Sequence, residues 1–173
     1  MLVSLPSTRG SEPSFPDRAT MSKATLVDQI RLELRSQFSL MQAATAEAKE
    51  NATGDETRSE GKYDTRAIEA SYLASAQAEQ VASLSQSIDV LSRFVPRAFE
   101  GQEAIAPGAL VEADYNGELT YFLLAPAGGG LTIEYEGFEC TVLTPESPLY
   151  QNLLGSYRGD LLTDRSLIIL GVS

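Results

Sequence analysis

The chain's 173 residues, 43% hydrophobic and 21% charged, suffice for one or two domains with a real core. It has no histidine, which excludes imidazole acid–base chemistry, histidine triads and zinc–histidine sites. A formal net charge of −11 argues against direct binding to nucleic-acid phosphates, whose affinity for proteins comes from Lys and Arg.

Residues 1–21 lack the apolar core of a secretory signal and are rich in Ser and Pro, so they read as a disordered tail. Met21 stands where helical periodicity begins and would serve as an alternative start. No uninterrupted apolar run reaches the roughly 18 residues of a membrane span. With a single cysteine, Cys140, the chain can form no internal disulfide, and the expected location is cytoplasmic.

From Leu26, apolar residues fall at Leu26, Ile30, Leu34, Phe38 and Met41, the stripe of an amphipathic helix. Alanines carry the pattern on until Asn51 and Gly54 supply stop signals. A second stripe runs through Ile68, Tyr72, Leu73, Ala76, Val81, Leu84, Ile88, Leu91 and Val95, and Pro96 closes it. Two matched helices most economically bury their stripes against each other as an antiparallel hairpin over residues 22–97. Pairing Leu26 with Val95, Ile30 with Leu91, Leu34 with Ile88, Phe38 with Leu84 and Met41 with Val81 keeps the index sum at 121 or 122 and centres the turn near Gly61. The tip, residues 52–64, is charged and glycine-punctuated. Arms of about 30 residues would hold it some 40 Å from their base.

After a linker, residues 98–104, the pattern changes to short runs with alternation: ALVEADY, LTYFLLA, LTIEYEG, FECTVLT and LIILGV. These predict about five strands of an antiparallel sheet over residues 105–173. Asn116-Gly117 reads as a hairpin turn, and Cys140 as a small buried hydrophobe. Gly128 to Gly130 lacks the Lys-Ser/Thr of a phosphate loop and reads as a turn. SPLYQNLLGS reads as a short helix with Gly155 just past its end. From Gly101 onward ten carboxylates face two arginines, a balance that keeps the domain soluble and suits a basic protein partner.

The order of helical hairpin and small β domain, together with TPESPLYQNLLGSYRGDLL near the end, resembles the Gre transcript-cleavage and elongation factors of bacteria, the GreA/GreB family, over about 150 residues from Met21. The resemblance implies an α+β fold: an N-terminal antiparallel coiled-coil hairpin followed by a small FKBP-like antiparallel β domain. It implies a partner, RNA polymerase, docked through the region of Ser147, Pro148, Leu149, Leu154, Gly155, Gly159 and Asp160. It also implies that the hairpin enters the secondary channel, where tip carboxylates help hold a Mg2+ shared with the polymerase active site. Such a chain is no enzyme itself and has no cofactor or stably bound metal of its own. It would be a monomer that avoids membranes and stable DNA contact and meets RNA only inside the polymerase complex.

The tip acids that fit this role are Asp55, Glu56, Glu60 and Asp64, with Lys62, Tyr63, Arg66 and Glu69 supporting the tip. Asp64 also suits the N-cap of the second helix. The family pattern is Gly-Asp, two residues, then Glu; here both Asp55 to Glu60 and Asp64 to Glu69 span five positions. In another alignment the cleavage-specific acid falls on Ile68, which binds no metal. Two other readings therefore stand beside a cleavage factor. One is a channel-binding regulator without cleavage, the other a non-transcriptional hairpin adaptor. An FKBP-like domain also raises prolyl isomerisation, but its tyrosines and phenylalanines read as core.

Overall fold

The computed structural model describes residues 22–54, 65–100, 102–135, 137–163 and 166–173. It is α+β. Helices α1 (Lys23–Gly54) and α2 (Thr65–Arg93) precede strands β1 (Leu110–Tyr115), β2 (Glu118–Leu124), β3 (Thr132–Tyr135) and β4 (Phe138–Leu143). A short helix α3 (Pro148–Leu153) and strands β5 (Leu161–Leu162) and β6 (Leu167–Val172) complete the chain.

One six-stranded sheet runs in the order β3-β4-β2-β1-β6-β5. Asn116 and Gly117, both at positive φ (56° and 88°), make the tight turn between β1 and β2 that the dipeptide predicts. All pairings are antiparallel except that of β2 with β4. The sheet is thus mixed rather than purely antiparallel, and it has six strands rather than about five. The hairpin of β3 and β4 joins the sheet through its second strand. That choice puts Cys140 and Val142, both fully buried, in the interior and leaves the four-residue β3 at the edge.

Strand alternation divides the core into two layers. On one face Val111, Ala113, Phe122, Leu124, Leu167 and Ile169 pack with Tyr150 and Leu153 of α3. On the other, Leu110, Leu123, Ile133, Cys140 and Val142 pack with Leu26, Val27, Ile30 and Leu34 of α1 and Leu91 of α2. The sheet therefore lies between α3 and the base of the two long helices.

Helix burial stops at that base. Leu34 is the last buried side chain of α1, and Leu91 is the only one of α2, among the described residues. Leu84 and Ile88 are half-buried, whereas Ile68, Tyr72 and Leu73 are exposed. The predicted stripe thus closes only near the sheet.

The expected pairing of Leu26 with Val95 does not form. Helix α2 ends at Arg93 and Val95 is 83% exposed. Pro96 disfavours helical backbone at the residue before it, so the chain has left the helix by then. Leu26 packs instead in the cluster with Leu91, Leu110 and Leu123.

Candidate functional site

Three parts of the molecule carry the residues that the sequence singles out: the arm tip, the arm base and the segment from Thr144 to Leu162.

At the tip, Asp55, Glu56, Glu60, Lys62, Tyr63 and Asp64 lie outside the described residues. Arg66 belongs to the first turn of α2, and Glu69, one turn on, is exposed. Among the described residues no group of three or more His, Cys, Asp or Glu side chains is placed to hold a metal ion.

The segment from Thr144 to Leu162 owes its shape to local rules. Ser147 precedes α3 in an extended conformation, and Pro148 opens the helix where a missing N–H costs nothing. The backbone N–H of Ser147 donates to Thr144 O at 2.8 Å, and the Gln151 amide donates to Pro145 O at 2.7 Å. The Thr144 hydroxyl beside the exposed Glu146 holds its carboxyl below the usual range, assisted by a backbone N–H. Burial pushes the Tyr150 phenol up, and the nearby Glu146 charge adds to the effect.

After the helix, the Gly155 N–H donates to Ile105 O at 2.8 Å, tying the end of α3 to the chain entering the sheet. The Asp160 carboxylate accepts the Tyr157 N–H at 2.8 Å, and the Gly159 N–H donates to Ile169 O at 2.8 Å. Leu149 and Leu154 pack on the core from its rim. Of the seven residues proposed for docking, Leu149, Leu154, Gly155, Gly159 and Asp160 thus shape the segment's own backbone and packing. Exposed polar and aromatic side chains on this segment are Glu146, Gln151, Asn152, Tyr157, Arg158 and Asp160, of which the sequence reading names only Asp160; Pro148, also named, is exposed as well. All of these lie inside TPESPLYQNLLGSYRGDLL, so their exposure is the missing signal.

At the arm base, Lys23 and Arg97 sit on one aromatic ring. The Lys23 ammonium lies 4.8 Å and the Arg97 guanidinium 3.8 Å from the Phe99 centroid. Lys23 also donates to the carbonyls of Arg97 and Gly108, and Arg97 pairs with Glu103 at 2.9 Å. Partial burial, with the Arg97 charge beside it, lowers the Lys23 pKa to about 8. This cluster joins the start of α1 to the segment that leads into β1.

Above the base, a crevice of about 1340 Å³ opens between the arm and the loop from Gly128 to Gly130. Its helix wall includes Gln37, Met41, Gln80, Ser83, Leu84 and Ser87. It contains no aromatic side chain. The crevice therefore differs from the aromatic-lined pocket that prolyl isomerisation needs.

These features define an α+β protein with a two-helix arm rooted on one face of a mixed sheet. The chain is similar to the crystal structure of GreA factor homolog 1 (Gfh1) of Thermus thermophilus, with 19% identity and a TM-score of 0.34 over 83% of this chain and 94% of that one. It is similar also to Thermus aquaticus Gfh1, with 22% identity and a TM-score of 0.33 over 81% and 91%. A third structure, titled the transcription factor Gfh1, gives 22% identity and a TM-score of 0.29 over 82% and 93%. No protein-family model matches the chain, and no curated protein sequence does. No helix among the described residues is long and apolar enough to cross a membrane.

Proposed function

We propose that this chain is a transcription elongation factor of the Gre type. It binds RNA polymerase through the segment around Ser147 to Asp160 and extends the arm into the secondary channel. The observation that carries this reading is the arm itself, a helix pair that among the described residues is buried only at its root, with a carboxylate-rich stretch of sequence between the two helices. A 32-residue α1 extends about 48 Å, which suits delivery of an acidic tip into a narrow passage. The resemblance of TPESPLYQNLLGSYRGDLL supports the same assignment.

In this reading Asp55, Glu56, Glu60 and Asp64 supply hard oxygen ligands to a Mg2+ held jointly with the polymerase, while Lys62, Tyr63, Arg66 and Glu69 orient the tip. Mg2+ accepts such an arrangement because one or two carboxylates, waters and substrate phosphate complete its octahedron. The chemistry belongs to the polymerase, the chain acts as a cytoplasmic monomer, and it makes no stable DNA contact.

The test adds the purified protein and Mg2+ to a stalled, backtracked elongation complex, with a polymerase pull-down alongside. Shortened RNA that disappears in the Asp55→Ala, Glu56→Ala, Glu60→Ala, Asp64→Ala variant establishes cleavage stimulation. The five-residue spacing between Asp and Glu favours a second reading, a channel-binding regulator that does not stimulate cleavage. Polymerase binding without RNA shortening is its signature, and loss of binding removes both readings in favour of a hairpin adaptor.

A further inference from the structure

The face of the sheet that carries the arm is only partly covered by it. Helices α1 and α2 sit over β3, β4 and the paired ends of β1 and β2, where Leu110, Leu123, Ile133, Cys140 and Val142 are buried. Among the described residues, no helix covers the rest of the same face, where Glu112 and Asp114 are half-buried. Cross-strand register places Leu119, Asp114, Ile168 and Leu161 side by side in one row across β2, β1, β6 and β5. Leu119 is 51% exposed, Ile168 41% and Leu161 55%, with Leu170 at 38% beside the irregularity in β6. In the adjoining row Glu112 stands between Tyr121, which packs at the edge of the arm's cluster, and Gly171.

The open strip is thus apolar on both flanks and acidic along its middle strand. Strands lie about 4.8 Å apart, so a strip three to four strands wide matches one helix of about 10 Å diameter. The covered half shows what this face accepts, since α1 lays Leu26, Ile30 and Leu34 on it. Charge selects among occupants. A second copy of a chain with net charge −11, or an RNA, would bring like charge toward Glu112 and Asp114, whereas Lys and Arg flanking an apolar stripe would be attracted by that negative charge.

We propose that the open strip formed by Leu119, Asp114, Glu112, Ile168, Leu170 and Leu161 docks one amphipathic helix of a protein partner, with an apolar stripe flanked by Lys or Arg. The strip lies on the opposite side of the sheet from α3, so the proposal does not depend on the polymerase reading.

The probe is a synthetic peptide of about 18 residues, five turns long, with Leu at helical stripe positions and Lys elsewhere. Isothermal titration and amide chemical shifts of the full chain are recorded with this peptide, with a Leu/Glu counterpart, and with a scrambled Leu/Lys peptide that lacks the stripe. Expected is binding of the striped Leu/Lys peptide alone, with shifts concentrated at Leu119, Leu161, Ile168 and Leu170. Affinity should fall at least about tenfold in Leu161→Lys, Ile168→Lys, and separately in Leu119→Lys, each variant's fold being checked by circular dichroism. Tyr72→Lys, on the arm, should bind as the parent does. Equal binding of the scrambled peptide, shifts elsewhere, or variants that bind unchanged would overturn the proposal. So would self-association in sedimentation that Leu161→Lys abolishes, because the occupant would then be a second copy.

Discussion

Arg31 of α1 closes the C-terminal end of α2 at Leu91. Its Nε donates to Leu91 O at 2.9 Å, and Nη2 reaches Phe94 O at 2.8 Å. The last carbonyls of a helix have no partner within it and carry the negative end of the dipole, so a guanidinium there satisfies both needs. The link also fixes the register of the two helices at their base.

Arg31→Met should cost about 1–3 kcal/mol, because two backbone carbonyls lose a charged donor at a largely buried side chain. Asp28 pairs with the same guanidinium at 2.7 Å but is 66% exposed. Asp28→Asn should therefore cost about 0.5 kcal/mol or less. Urea unfolding of the two variants beside the parent separates them, and equal costs would refute the capping role.

Gly128 holds φ +81°, and a Cβ built there lies 3.3 Å from Leu91 Cδ1 and 3.5 Å from Leu34 Cδ1. Gly128→Ala should destabilise by about 1–3 kcal/mol through backbone strain and crowding against the helices. Leu91→Ala alone should cost about 2–5 kcal/mol. If crowding against Leu91 contributes, the double variant costs at least about 0.5 kcal/mol less than the sum of the two.

Lys23 gives a pH signature. Its folded pKa of about 8 lies below its ordinary value of 10.5, owing first to burial and then to the Arg97 charge, which outweigh the two carbonyls it donates to. Below pH 8 the group is charged in both folded and unfolded chains, and the full penalty is present. Between pH 8 and 10.5 the unfolded chain holds the proton more tightly, so this group's contribution makes stability rise with pH. Denaturant midpoints across that window, for the parent minus Lys23→Met, should show this upward trend; a flat or falling difference would contradict it.

Cys140 is fully buried between β3 and β2, and burial pushes its thiol up to about 12. At pH 8 a disulfide reagent should modify it only as fast as the sheet opens, and rapidly once urea unfolds the chain. Stoichiometric labelling of the native chain within seconds would show that the β2, β4 and β3 layer opens far more readily than its packing implies.

Sequence patterns carried the elements whose causes are local. The Asn116-Gly117 turn, the start of α3 at Ser147-Pro148 and its end near Gly155 depend on a few adjacent residues, and all three stand where the pattern puts them. The parallel contact of β2 with β4 depends on which strand of a later hairpin reaches the interior. Alternation within FECTVLT does not encode that. The Val95 error has a local cause that was visible, since Pro96 marks the break but the apolar period runs through it. The cluster of Lys23, Arg97 and Phe99 joins residues 74 and more positions apart, and no period or spacing announces such a contact. The segment from Thr144 to Leu162 was legible as a motif, but which of its side chains face water was not.

Among the described residues helix burial is confined to the root of the arm, which gives the molecule the mechanics of a cantilever. A transverse load applied far along the arm puts its largest bending moment at the clamp, where Leu26, Ile30, Leu34 and Leu91 meet the sheet and Arg31 joins the helices. For a beam clamped at one end, deflection grows as the cube of the free length. Small losses of packing at the clamp therefore lengthen the lever and are magnified at its far end. Substitutions at Leu34 or Leu91 should scatter the position of the arm's end even in molecules that remain folded, whereas changes at exposed Tyr72 leave the clamp untouched.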